Sequence, residues 1–104
     1  MPITKLSPAY LKEFDEKVQQ AVKKFPEVVR VRYNFDEDWT GEPAIYFRVV
    51  LSDDLGLGER FIEAARRVEG AITGDLQLYE SEYFPFFYFR LKSEEDRLKE
   101  PSWE

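Results

Sequence analysis

Residues 29–51 read VRVRYNFDEDWTGEPAIYFRVVL, and their alternation decides the fold. Val29, Val31, Tyr33 and Phe35 alternate with Arg30, Arg32 and Asn34. Farther on, Ile45, Phe47, Val49 and Leu51 alternate with Tyr46, Arg48 and Val50. A period of two is the mark of a strand with one buried face. The connection between the two runs is short, acidic and supplied with Gly41 and Pro43, so the pair reads as an antiparallel hairpin.

Working outward, Ser7-Pro8 is a helix start: the hydroxyl accepts from early backbone N–H groups and Pro suits the first helical position. Leu11, Phe14, Val18, Val22 and Phe25 recur at spacings of three and four, which predicts an amphipathic helix over 8–25, stopped by Pro26. A second helical face, Phe61, Ile62, Ala65, Val68 and Ile72, follows the break at Gly56 and Gly58, and Gly70 and Gly74 loosen or end it. Leu76 and Leu78 fit either a short strand or a pinned loop within 75–84. Residues 85–91 form a third strand, and Ser93-Glu94-Glu95-Asp96 offers a cap for a terminal turn.

The expected order is α-β-β-α-β: a two-layer α+β sandwich, with two helices on one face of a three-stranded mixed sheet. Residues 1–92 form a single domain in this reading, and 93–104 a short C-terminal turn or tail. A right-handed crossover makes the third strand parallel to the second. Placing it beside the first gives the spatial order 2-1-3.

The chain has 104 residues, with 15 Lys and Arg, 21 Asp and Glu, no His and no Cys. Those zeros exclude a Ser-His-Asp triad, a thiol nucleophile, a disulfide framework and the usual zinc sites. Sixteen per cent aromatic residues argue for a real core despite 35% charged residues. Charge is uneven: residues 1–34 carry +3, residues 35–104 carry −9, and the net is −6. That total disfavours general binding to nucleic-acid backbone. No apolar run approaches the roughly 20 residues of a membrane span, and residues 1–12 lack a signal-peptide pattern. The expectation is a soluble, cytoplasmic protein with no cofactor.

The sheet face away from the helices is the informative surface. It is expected to carry Val28, Arg30, Arg32 and Asn34, then Tyr46, Arg48 and Val50, then Phe86, Tyr88 and Arg90. Arg interleaved with aromatic rings stacks, pairs with carboxylates and anchors protein contacts. An ordinary solvated face has the same look when Arg stems cover rings. A single-stranded RNA platform also uses aromatics with Arg, but no RNA-binding signature accompanies them. The favoured reading is a non-enzymatic interaction module, regulatory or accessory in the manner of an antitoxin or a subunit. It binds a protein partner or a second copy of itself as a homodimer. Its candidate partner-binding residues are Arg30, Arg32, Tyr46, Arg48, Phe86, Tyr88, Arg90 and Trp39.

Asp36, Asp38 and Glu42 support an alternative. Asp36-x-Asp38 is similar to the paired carboxylates that hold Mg²⁺ in phosphoryl-transfer enzymes such as minimal nucleotidyltransferases. A carboxylate-dependent metal enzyme acting on phosphoesters or nucleotides would use them. The Gly-Ser signature of those enzymes is missing, however, and short acid pairs ordinarily serve turns. Asp53 or Asp54 is expected to cap the second helix. Trp39 exceeds what its turn needs, and the expectation is a ring folded back on the core edge. Trp103 reads as a tail residue or a dock on a neighbour.

Overall fold

The computed structural model describes residues 7–99 and residue 103. Helix α1 (Pro8–Val22) starts as its sequence dictates, with the Ser7 hydroxyl accepting from the Tyr10 backbone N–H at 3.1 Å. It ends at Val22 rather than at residue 25. Pro26 disfavours helical backbone at Phe25, and the Phe25 N–H instead closes a turn onto the Val22 carbonyl. Phe14, Val18 and Ala21 are buried beneath it.

Strands β1 (Val28–Glu37) and β2 (Pro43–Leu51) form the expected antiparallel hairpin, and β3 (Phe84–Leu91) runs parallel to β2. The strand order is β1-β2-β3, which corrects the expected placement of the third strand beside the first. The reason is the width of the helices. A helix is about 10 Å across and covers roughly two strands spaced about 4.8 Å apart. The short turn into β1 lays α1 over the β1 side, where Phe14 meets Tyr33 and Phe35. Helix α2 (Glu59–Asp75) must then lie beside α1 and carries the chain to the far side of β2.

Ile45, Phe47, Val49 and Leu51 point into the core as their alternation requires, and Phe87 and Phe89 of β3 pack against it. Three residues depart from the expected pattern. A bulge between Val28 and Arg30 shifts the phase of β1, so Val28 packs on the core and Val29 is exposed. In α2, Ala64, Val68, Ile72 and Thr73 are buried, while Ile62 lies on the solvent side. The helix runs through Gly70 and ends at Asp75, one residue after Gly74. Between α2 and β3, residues 76–83 contain a 3-10 turn, Leu78–Glu80, with Leu78 buried, and no strand.

A third helix, α3 (Lys92–Leu98), follows β3 without a linker and lies on the other face of the sheet from α1 and α2. Asp53 sits in the 3-10 turn Asp53–Leu55 after β2, and its carboxylate accepts from the Ser93 backbone N–H at 2.9 Å. It therefore caps α3 and not α2, whose first turn has no side-chain cap. Among the described residues no helix is long and apolar enough to cross a membrane.

Candidate functional site

Register places the outer-face side chains in rows across the three strands. Arg30, Val50 and Arg90 form one row, and Arg32, Arg48 and Tyr88 the next. Asn34, Tyr46 and Phe86 follow, then Asp36, Ala44 and Phe84 beside the hairpin loop.

The first row is covered by the chain itself. Glu95 of α3 is only 3% exposed, and its carboxylate accepts from Arg30 Nη2 at 3.0 Å and from Arg90 Nη1 at 3.5 Å. Arg30 Nε also donates to the Trp103 carbonyl at 3.2 Å, and the Arg90 guanidinium lies 4.2 Å from the centre of the Trp103 ring. Val50, on the outer face by register, is 1% exposed because α3 crosses this end of the sheet. Arg30 and Arg90 thus hold a strap made from the chain's own C-terminal part. Trp103 docks in cis, a contact that nothing in the local sequence announces.

The side chains of the remaining rows are exposed or half-buried, apart from Ala44, which is fully buried. Tyr46 and Phe86 stack at 5.1 Å with their planes 13° apart, and Tyr46 and Tyr88 stack at 6.4 Å. Phe84 extends the series at 5.1 Å from Phe86. Phe84 and Tyr88, on the edge strand β3, are 59% and 47% exposed. Desolvation by the neighbouring rings, then the proximity of Tyr88, pushes the Tyr46 hydroxyl pKa up. The Tyr46 hydroxyl donates to the Glu37 carbonyl at 3.2 Å, which fixes its ring. Arg48 donates to the Asn34 side-chain oxygen, so its guanidinium is oriented along the face with its charge intact. Arg32 is exposed beside it, touching the Val31 carbonyl at 3.5 Å.

The hairpin loop is ordered by Asp38. Its Oδ1 accepts from the Thr40 hydroxyl at 2.6 Å, the Thr40 N–H at 2.8 Å and the Glu42 N–H at 3.0 Å. Gly41 supplies the positive φ that the turn requires. This network leaves Trp39 92% exposed, which corrects the expectation of a ring folded onto the core edge. Asp38 points into its own loop, while Asp36 accepts from the Glu37 N–H at 2.8 Å. Each carboxylate thus serves its turn, and the structure does not gather Asp36, Asp38 and Glu42 into a shared site. Among the described residues no group of three or more acidic side chains is placed to hold a metal ion.

The Thr40 hydroxyl bond, with the loop N–H groups, holds the Asp38 carboxyl below its ordinary value. A depressed pKa means the interaction is present above the ordinary carboxylate pKa and is lost as pH falls through the depressed value. Protection of the Thr40 and Glu42 amides, measured relative to their intrinsic exchange rate at each pH, should therefore persist through the range where free carboxylates protonate and be lost only at lower pH. In Asp38→Ala that protection should be gone at neutral pH. Protection that vanishes in step with free carboxylates would contradict this account.

No family model matches this sequence, and no curated protein matches it. Two solved structures are similar in fold. One is a doubly substituted MamM-CTD, with TM-score 0.53 and 10% identity over 81% of this chain and 94% of that one. The other is a triply substituted MamM CTD, with TM-score 0.50 and 14% identity over 79% of this chain and 98% of that one. Both have a ferredoxin-like α+β fold. At such identities the likeness is one of architecture.

Proposed function

We propose that this chain is a non-enzymatic protein-interaction module, a regulatory or accessory component that works through the open rows of its outer sheet face. The observation that carries this reading is the continuous run of rings Phe84, Phe86, Tyr46 and Tyr88 flanked by Arg48 and Arg32. Contiguous exposed apolar surface on a small domain marks a partner site, and Tyr, Phe and Arg are favoured at interface centres. The rings are pre-oriented by stacking and hydrogen bonds, so little side-chain entropy is lost on binding. The same rings would serve single-stranded nucleic acid, but the net charge of −6 and the acids beside the hairpin oppose it.

The test is a paired substitution, Arg32→Glu with Tyr88→Glu, on exposed positions that leave the core untouched. Association, measured as sedimentation and as co-purification with the products of neighbouring genes, should fall at least tenfold while the circular dichroism spectrum stays unchanged. Association that survives in the doubly substituted protein would remove this face from consideration.

A further inference from the structure

We infer that the occupant of the open face is a second copy of this chain, packed face to face about a twofold axis that runs across the strands through the Asn34–Tyr46–Phe86 row; this deepens the protein-interaction reading and rests on it. The argument is the self-complementarity of the face. Along the strands, the face runs from a basic row, Arg32 and Arg48, through the rings, to an acidic end at Asp36 and, in the loop beyond it, Glu42. A twofold axis through the middle row turns one copy end for end against the other. Basic rows then meet acidic ends twice, as electrostatic complementarity requires.

The register makes the pairing specific. Strands twist, but rows are separated by two residues, about 6.8 Å, in every antiparallel or parallel ladder. The row one step on one side of the axis therefore faces the row one step on the other. Arg32 lies over the partner's Asp36, Arg48 over the partner's Ala44, and Tyr88 over the partner's Phe84. Tyr46 and Phe86 meet their own copies at the axis.

Shape agrees with charge. The α3 strap raises one end of the face by about one helix diameter, near the 10 Å spacing of stacked sheets. Opposite the strap the partner's sheet has ended, because its strands give way to the loop at residues 38–42 and to the segment before β3. The strap of each copy therefore fits past the end of the other's sheet and brings α3 beside the partner's Trp39. Three strands and the three open rows give about 14 by 20 Å of flat contact, below the size of specific interfaces until the strap and loop are added. The dimer is thus expected to dissociate on dilution.

Charge exchange tests the register. Arg32→Asp and Asp36→Arg, each alone, place like charges together at both twofold-related contacts, and each should sediment as a folded monomer. Mixing the two variants restores opposite charges at both contacts, so the mixture should form a heterodimer. The protein carrying both substitutions should self-associate like the parent. A parent chain that stays monomeric to about 500 µM, well above the dissociation range of small interfaces, overturns the second-copy inference. A mixture that remains monomeric overturns it too. In either case the protein-interaction reading survives if capture of another partner remains sensitive to Tyr88→Glu. A dimer indifferent to Tyr88→Glu and to both charge reversals sinks the inference and that reading together.

Discussion

Phe47→Ala should destabilise the fold by about 4 kcal/mol, the upper part of the range for removing a fully buried Phe. Phe47 sits on the central strand, has no exposed surface, and stacks on Phe87 at 4.7 Å. Tyr33 at 5.8 Å and Phe14 at 6.4 Å close the cluster from β1 and α1. Its ring is therefore touched by both layers of the sandwich and by all three strands' worth of neighbours. Deleting it leaves a void that stacked rings, held by their own strands, fill poorly. Since domains of this size are stable by roughly 5–15 kcal/mol, the loss is a large fraction of the total. The melting temperature should drop by on the order of 20 °C. Phe47→Leu, which keeps most of the volume, should cost about 1.5 kcal/mol or less. Ile62→Ala gives the contrast: its periodicity in the sequence places it with the core, but its solvent position makes the expected cost below about 0.5 kcal/mol. Urea midpoints read all three. A Phe47→Ala cost under about 2 kcal/mol would mean that the ring cluster collapses onto the vacancy.

Ile62 and Phe47 show how far the sequence was legible. Strand alternation at 29–51 carries its own phase, so the hairpin and the inward row of β2 follow from side-chain type alone. The helices α1 and α2 follow from spacing, but their exact stripe depends on where the sheet lies, and an apolar side chain at the stripe's edge goes either way. The bulge between Val28 and Arg30 leaves no signal, because Val28 and Val29 are the same residue and either satisfies the buried position. Strand order needs the width of two helices side by side, which is a property of the assembled layers. At the candidate site, the run Tyr46, Arg48, Phe86 and Tyr88 on one open face was legible from alternation. The fate of Arg30 and Arg90 was not, because their partner Glu95 lies 65 residues from Arg30 in sequence. A lone Glu in a charged helix looks like any solvated acid. The Asp38 loop was half legible: the turn residues were plain, but the outward aim of Trp39 follows from three hydrogen bonds to one oxygen.

Glu95→Ala should cost about 3 kcal/mol and release the strap, because it removes the buried carboxylate that Arg30 and Arg90 share. Glu95 is nearly inaccessible, and the Arg30 and Arg90 side chains keep 28% and 16% exposure. Residual access to water places the cost at the low end for breaking a buried pair. Glu95→Gln preserves shape and one acceptor, and should cost less than half as much. The release has its own readout. In a Trp39→Phe background, Trp103 is the sole tryptophan, and its emission reports whether the ring lies under Arg90 or in water. Parent emission should be blue-shifted and poorly quenched by iodide, and Glu95→Ala should move both toward free tryptophan before global unfolding. If stability falls while Trp103 stays protected, the ring and its carbonyl bond to Arg30 hold the strap without the carboxylate. The distinction matters for the open face. Val50 lies beneath α3, so a released strap uncovers Val50 between Arg30 and Arg90 and removes the raised end on which the twofold fit depends. Glu95→Ala is therefore expected to weaken specific dimerisation while increasing nonspecific association, two effects that sedimentation separates by stoichiometry.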